Sequence, residues 1–107
     1  MEIKQYQIVI VNLDPTIGQE IKKTRPCLVI SPTEMNKYLR TITIAPITSK
    51  SKDYVTRVKF ELEGMENWIV VDQIRTVDIA RIIKTLGELD VKAIKKVKAI
   101  IKETFVD

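Results

Sequence analysis

The chain has 107 residues, with 18 lysines and arginines against 14 aspartates and glutamates, one cysteine and no histidine. This length predicts a single domain over residues 1–107, and the net charge of +4 favours an anionic partner. The lack of histidine excludes a catalytic triad and a Cys–His dyad, and with a single cysteine it also excludes a structural zinc site. A carboxylate-bound magnesium ion remains compatible with the composition. With one cysteine and no long apolar run, we expect a cytoplasmic chain without a disulfide or a membrane span.

The first half of the chain alternates between apolar strands and polar loops. β-Branched and apolar runs predict the strands, and proline, glycine and charged residues mark the loops. In chain order we predict a strand over 6–11, a polar loop over 12–24, a strand over 27–31 entered through Pro26, a helical turn over 34–38 capped by Thr33, and an alternating strand over 41–47 whose Pro46 indicates a strand edge or end.

The second half has the same pattern and closes with a helix. We predict a loop over 48–54, a strand over 55–61, a turn at Gly64, a strand over 67–71, an extended segment over 76–78 and a last strand over 82–89. Asp90 is expected to begin the helix, because its carboxylate can accept the free N–H groups of the first turn. The apolar residues at helical spacing are Val91, Ile94, Val97, Ile101 and Phe105.

These elements predict an α+β fold that is mainly β. Six or seven short strands follow one another without helices between them, which favours a twisted, mostly antiparallel, barrel-like sheet with a C-terminal helix. Five lysines on the other face of that helix are interpreted as a solvated surface. Trp68 and Cys27 lie in apolar runs and are interpreted as core residues.

Arg25 is the first residue with a candidate chemical role. It stands at the end of the long loop, beside Pro26 and at the mouth of a buried strand. Its planar fork of donors suits a phosphate group. The alternative is an ion pair with Glu20 that holds the loop in place.

Two further polar groups follow predicted strands. Thr48 and Ser49 could donate to a phosphate oxygen or a substrate 2′-OH, or could bond their own backbone in a turn. In the segment 72–78, Gln73 and Arg75 could read base edges. Alternatively, Arg75 bridges Asp72 and Asp78 or reaches a second subunit.

Taken in this order, these segments resemble the MazF/PemK family of toxin ribonucleases. The matching segments are NLDPTIGQEI at 12–21, TRPCLVISP at 24–32, APITS at 45–49, DQIRTVD at 72–78, Arg81, and GEL at 87–89. The resemblance implies a twisted, barrel-like homodimer whose fold is shared with the CcdB gyrase poisons. It also implies a sequence-specific endoribonuclease that needs no metal or other cofactor, cuts single-stranded mRNA and arrests growth. The implied protein partner is an antitoxin whose flexible tail covers the RNA groove.

The resemblance also assigns site residues by position. The family's catalytic arginine falls on Arg25 and its catalytic threonine on Thr48. A related branch has an aspartate as the proposed base, which falls on Asp72. The histidine and second arginine of that branch are Gln19 and Val70 here, and a Gly-Asp pair common in the first strand is Tyr6-Gln7. These differences favour the scheme based on Arg25 and Thr48.

The predicted RNA groove lies between the loops 12–24 and 48–54. Its candidate RNA-binding residues are Gln19, Lys22, Lys23, Ser49, Lys50, Gln73 and Arg75, and Lys52 adds positive charge. Two other functions fit the same fold: a gyrase-directed poison that acts by protein binding, and a barrel that binds RNA or antitoxin without cutting.

Overall fold

The computed structural model describes residues 2–14 and 23–107. The strands are β1 (Gln7–Asn12), β2 (Thr24–Val29), β3 (Thr41–Thr48), β4 (Arg57–Leu62), β5 (Met65–Val70), β6 (Arg75–Asp78) and β7 (Ile82–Glu88). The helices are α1 (Thr33–Tyr38) and α2 (Val91–Ile101), which continues as a π turn over Lys102–Val106, and 3-10 turns cover Val71–Gln73 and Ile79–Arg81. Among these elements, no helix has the length and apolar character to cross a membrane.

All described strand pairs are antiparallel and form one curled sheet. The strand order is β4-β5-β3-β2-β1-β7, and β6 pairs with β3 off this path. A β-rich antiparallel sheet followed by a C-terminal helix is the predicted fold class, which is confirmed. The sheet curls because β3 pairs first with β6 and then with β5, so a single strand belongs to both ends of the barrel.

Both faces of the central strands are buried. Alternate residues point to opposite faces, so Leu28 and Ala45 enter a core under α2, whereas Cys27 and Ile44 enter a second core on the other face. This explains why the segments 27–30 and 44–47 are continuous apolar runs and do not alternate with polar residues. Strands β2 and β3 are therefore packed against a core on each of their two faces.

Pro26 lies within β2 and not before it, whereas Pro46 lies at a local strand edge, one of the two positions predicted for it. Pro26 pairs with β1, but the β2–β3 ladder begins only at Cys27. Pro46 lies inside β3, where pairing with β6 ends at Ile44 and pairing with β5 begins at Ile47. Each proline therefore occupies a point where one side of its strand has no ladder partner, and its missing N–H breaks no ladder bond.

The cap predicted for α1 is wrong. The helix begins at Thr33, Pro32 takes the cap position, and there is no side-chain cap bond. The Thr33 hydroxyl instead accepts a hydrogen bond from the Gln5 amide, with an N–O distance of 3.0 Å. Threonine hydroxyls bond to whichever backbone group is near, and here that group comes from the N-terminal segment.

The turn predicted at Gly64 is confirmed. Leu62 pairs with Met65, and the two residues between them, Glu63 and Gly64, have φ of 52° and 79°. Positive φ at both central residues defines a type I′ hairpin, which a glycine accommodates easily. Strand β4 starts at Arg57, two residues later than predicted, because its amide donates to the Tyr54 carbonyl in a preceding turn, at 3.0 Å.

Asp90 begins α2 as predicted. Its Oδ1 accepts from the Ala93 amide at 2.8 Å, which satisfies a free N–H of the first turn. Ala93 and Val97 are the fully buried positions of this helix. Val91 and Phe105, predicted on the core face, are 69% and 56% exposed, because the buried stripe is centred on Ala93 and Val97.

Candidate active site

Arg25 and Thr48 lie at adjoining ends of β2 and β3. The described β2–β3 ladder ends at the pair Cys27 and Pro46. Arg25, near the start of β2, and Thr48, at the end of β3, each lie two residues beyond this pair. Alternate residues of a strand share a face of the sheet, so both side chains leave the face of Cys27 and Pro46. Arg25 is half-buried and Thr48 is 8% exposed.

The Thr48 hydroxyl is bonded within its own turn. Its Oγ1 accepts from the Lys50 amide at 3.2 Å and donates to the Lys50 carbonyl at 3.3 Å. The turn that was weighed against a catalytic role is therefore present. Both bonds are long, and one hydroxyl proton serves the donor bond, so a charged phosphate oxygen nearby would be a stronger acceptor for it.

Arg75 reaches the same region from β6. It pairs with Ile44 of β3 and donates to the Leu13 carbonyl at 3.5 Å. The predicted bridge between Asp72 and Asp78 is wrong, because Arg57 binds Asp72 and the Asp78 carboxylate accepts from the Ala80 amide. The physical reason is that a backbone carbonyl from the end of β1 lies nearer to Arg75 than either carboxylate does.

The positive charges of Arg25 and Arg75 act on the thiol of Cys27. Burial raises the pKa of Cys27 to about 12, and the positive charges of Arg25 and Arg75 lower it to a smaller degree. Cys27 is fully buried, which confirms its predicted role as a core residue. Arg75 bonds the Leu13 carbonyl, and the Leu13 amide bonds Lys23 just before β2. Arg75 and Arg25 therefore bring positive charge to the same end of β2.

Hydrogen bonds join the chain that leaves β1 to the chain that enters β2, and we call this junction of residues 12–14, Lys23 and Arg81 the neck. The Leu13 amide donates to the Lys23 carbonyl at 3.1 Å, and the Lys23 amide donates to Asp14 Oδ1 at 2.8 Å. Arg81 donates to the Asn12 carbonyl at 3.1 Å and to the Asp14 carbonyl. Lys23, one of the predicted RNA-binding residues, is exposed at this neck.

The remaining predicted residues fall in three places. Gln19 and Lys22, like the proposed partner Glu20, lie outside the described residues. Ser49 and Lys50 are exposed immediately after Thr48, and Gln73 is half-buried in the Val71–Gln73 turn. Trp68 is 9% exposed and donates from Nε1 to Asp53 at 3.0 Å, which confirms it as a core residue and not a stacking surface.

The Asp72 carboxylate is paired with Arg57, a contact that the sequence did not predict. Arg57 Nε lies 3.3 Å from Asp72 Oδ1, and the Thr56 hydroxyl donates to the same oxygen at 2.9 Å. Burial raises the pKa of Asp72, but the bonds from Arg57 and Thr56 outweigh it and hold the pKa below its usual value. A carboxylate in this state is a weak proton acceptor.

Sequence reasoning missed Arg57 because it occupies an alternating strand. Arg57, Lys59 and Glu61 share one face of β4, and charged residues with this spacing normally point to solvent. Their spacing gave no signal that one of them is only 18% exposed and binds a carboxylate. Within residues 2–14 and 23–107, no group of three or more cysteine, aspartate or glutamate side chains is arranged to hold a metal ion.

Comparison with known proteins decides the family. A family model described as "PemK-like, MazF-like toxin of type II toxin-antitoxin system" matches residues 4–105. The chain belongs to the PemK-like, MazF-like toxin family. The predicted family is therefore confirmed, and the match spans every strand and both helices.

Two relatives of this toxin family are named endoribonucleases. Endoribonuclease PemK of Escherichia coli is 34% identical over 83 residues, which cover 73% of this chain and 62% of PemK. Endoribonuclease EndoA of Bacillus subtilis is 27% identical over 103 residues, which cover 91% of this chain and 89% of EndoA. The match thus spans less than two thirds of PemK but most of EndoA, and both names agree with the predicted enzyme class.

Solved structures of the toxin family have the same fold. MazF from Deinococcus radiodurans superposes with a TM-score of 0.86 at 25% identity, and 96% of each chain is covered. A MazE–MazF structure from the same organism gives a TM-score of 0.80 at 24% identity, with 96% of this chain and 95% of that chain covered. The predicted barrel-like fold is confirmed.

Proposed function

We propose that this PemK-like, MazF-like toxin is a sequence-specific, metal-independent endoribonuclease that cuts single-stranded mRNA and thereby stops translation and growth. The observation that carries the proposal is the placement of Arg25 and Thr48 on one face of the sheet, at adjoining strand ends. The two endoribonuclease relatives and the basic charge of the chain support it. In this proposal Arg25 and Thr48 are the catalytic residues.

The reaction uses a nucleophile that the substrate provides. The 2′-OH of a ribose gives up its proton to water and attacks the adjacent phosphorus. The P–O5′ bond breaks and the 5′ oxygen takes up a proton, which gives a 2′,3′-cyclic phosphate and a 5′-OH. The protein must hold the 2′-OH in line and stabilise the charge that develops on the phosphorane. No cysteine or serine nucleophile is needed, and no cofactor takes part in the proposed steps.

Arg25 provides the main charge stabilisation. A guanidinium group is always charged in proteins, so Arg25 acts as a donor and not as a general base. Two N–H groups of its fork can bond two phosphorane oxygens at once, and another can donate a hydrogen bond to the leaving 5′ oxygen, which takes its proton from water. Pro26 restricts Arg25 to an extended backbone and β1 pairs with it, so the guanidinium starts from a fixed base.

Thr48 holds the scissile phosphate. Its hydroxyl exchanges the weak donor bond to the Lys50 carbonyl for a bond to a phosphate oxygen, while the Lys50 amide continues to donate to Oγ1. Ser49 and Lys50 follow directly and add a second hydroxyl and a positive charge. Lys22, Lys23 and Lys52 attract the RNA backbone, and Gln19, Gln73 and Arg75 contribute to base selection.

The proposed partners follow from the same family. The solved MazE–MazF structure supports an antitoxin partner, and we propose that this antitoxin covers the RNA-binding face with a flexible tail. A cation-rich face that attracts RNA phosphates would also attract acidic side chains on such a tail. We further propose a homodimer located in the cytoplasm, where mRNA is the substrate.

The test is cleavage of a single-stranded RNA oligonucleotide in EDTA. We expect cut products that end in a cyclic phosphate, and their loss in Arg25→Ala and Thr48→Ala. Arg40→Ala and Thr43→Ala are matched controls, because Arg40 is an exposed arginine and Thr43 is a hydroxyl on the opposite face of β3. Circular dichroism confirms that each variant folds.

Three results would contradict the proposal. Cleavage that disappears in EDTA and returns with magnesium would refute the metal-independent mechanism. RNA that is shifted in a gel without cut ends would indicate a binding protein. Cleavage that persists in both Arg25→Ala and Thr48→Ala would remove these two residues from the chemistry.

A further inference from the structure

Arg57, at the start of β4, links three stretches of the chain. Its Nε and one terminal nitrogen face the two oxygens of Asp72, at 3.3 and 3.5 Å. The other terminal nitrogen donates to the Ser51 hydroxyl at 2.8 Å, and the guanidinium stacks on the Tyr54 ring, 4.7 Å from its centre. Because its guanidinium contacts Asp72, Ser51 and the Tyr54 ring at once, the Arg57 side chain has few other rotamers and holds these three residues in place.

The acceptor in this link is also fixed. Asp72 lies in the Val71–Gln73 turn, whose first amide donates to the Thr56 carbonyl at 3.1 Å. The Thr56 hydroxyl donates in turn to Asp72 Oδ1 at 2.9 Å. Two bonds therefore tie the end of the 49–56 loop to Asp72 and its turn, and Arg57 adds a charged link to the same carboxylate.

The link continues to Thr48. The Ser51 hydroxyl, which accepts from Arg57, donates to the Lys52 carbonyl at 2.8 Å. One residue earlier, both backbone groups of Lys50 bond to the Thr48 hydroxyl. The loop that follows Thr48 is thus held at its first turn by Thr48 and at its middle by Arg57.

We infer that Arg57 and Asp72 form a positioning pair, which fixes the 49–56 loop and so sets the Thr48 hydroxyl and Lys50 for an RNA phosphate. Asp72 serves as the anchor of Arg57 and does not accept the proton of the 2′-OH. The inference rests on the proposed endoribonuclease function and adds a role for Arg57, which acts through Thr48 and does not contact the reacting atoms.

The pair requires arginine specifically. A lysine at position 57 keeps the positive charge but provides one nitrogen, so it cannot bond both Asp72 and Ser51 in the present directions. A misplacement of a catalytic group by about 1 Å costs about 10²-fold in rate. We therefore expect Arg57→Lys, Arg57→Ala and Asp72→Asn each to lower kcat about 10- to 100-fold, with KM nearly unchanged because the lysines that attract RNA remain.

The kinetic experiment is a double-mutant cycle on RNA cleavage. If both residues act as one unit, the double variant Arg57→Ala/Asp72→Asn loses no more rate than the worse single variant. Glu66→Gln is the matched control, since Glu66 is an exposed carboxylate on the same hairpin that pairs with Lys59 at 4.0 Å and not with Arg57. An anchor role also predicts that Asp72→Asn keeps the acid limb of the wild-type pH profile of kcat.

A second experiment needs no RNA. Hydrogen exchange of the Lys50 amide, measured by NMR, is expected to accelerate in Arg57→Lys and Arg57→Ala and to stay unchanged in Glu66→Gln. Arg57→Lys keeps the charge and serves if Arg57→Ala does not fold. If the wild-type chain does not cut RNA, the proposed function fails, whereas Lys50 exchange still decides the positioning role.

Three outcomes would overturn the inference. Additive losses in the double variant would show that Arg57 and Asp72 act separately. Loss of the acid limb in Asp72→Asn would assign proton transfer to Asp72. Unchanged Lys50 exchange in both Arg57 variants would show that the loop does not depend on this pair.

Discussion

The variant Thr48→Val removes the hydroxyl of Thr48 and keeps the shape of the side chain, so it tests the hydroxyl alone. Valine has nearly the same shape, so the buried methyl contact at the end of β3 is kept and only the two bonds to Lys50 are lost. A typical hydrogen bond contributes about 0.5–1.5 kcal/mol to stability. These bonds are long, at 3.2 and 3.3 Å, and Lys50 is exposed, so water can replace them. We therefore expect a total loss of about 1 kcal/mol.

A loss of this size cannot abolish activity through unfolding. A domain of this length has a free energy of unfolding of about 5–15 kcal/mol. Even from the lower end, about 4 kcal/mol remains, and with tenfold per 1.4 kcal/mol about 0.1% of the chains are unfolded. Any larger drop in cleavage therefore reports on chemistry. Loss of a hydrogen-bond donor to a developing oxyanion costs about 10²- to 10³-fold in kcat.

The assay compares cleavage of an RNA oligonucleotide at 25 °C with thermal unfolding of the same samples. For Thr48→Val we expect a Tm about 4–5 °C lower and cleavage about 10²-fold slower. Thr48→Ser keeps the hydroxyl and serves as the control, with most of the activity retained. Wild-type cleavage by Thr48→Val would refute the role of the hydroxyl, and so would a rate that falls only in proportion to the unfolded fraction.

Three further predictions concern stability and reactivity. Asp90→Ala removes the cap bond to Ala93 and should lower stability by about 1 kcal/mol, or about 4–5 °C in Tm, whereas Asp90→Asn should retain most of it. The lowered pKa of Asp72 means that its bonds stabilise the fold above its unfolded value of about 3.9 and are lost as pH falls through the folded value. The Tm gap between wild type and Asp72→Asn should therefore be widest near neutral pH and close in acid, and a gap independent of pH would contradict the assignment. Burial raises the pKa of Cys27 to about 12, so iodoacetamide at pH 7.5 should leave the native thiol unmodified and label it after denaturation, as mass spectrometry would show.

Much of the fold is encoded in local patterns that the sequence displays directly. The cap at Asp90 and the turn at Gly64 depend on side chains within a few residues of each other, and both are confirmed. Because a proline lacks a donor, Pro26 is predicted at the entry of its strand and Pro46 at a strand edge or end. Their true positions depend on where neighbouring strands stop, which is a property of the assembled sheet.

The candidate site was predictable in part for the same reason. Arg25 and Thr48 each stand at a visible change from strand to loop, and the resemblance named them. The partners of Arg57 and Arg75 are a carboxylate 15 residues away and a carbonyl 62 residues away. Only the folded register brings these groups together, and the spacing along the chain gave no signal of either contact.

The neck between β1 and β2 makes the start of β2 depend on a residue beside β7, at the edge of the sheet. Arg81, directly before β7, donates to the main-chain carbonyls of Asn12 and Asp14. The Asp14 carboxylate in turn accepts from the Lys23 amide, two residues before Arg25. A substitution at Arg81 would therefore act on the backbone that leads into Arg25, although the two arginines are far apart in the sequence.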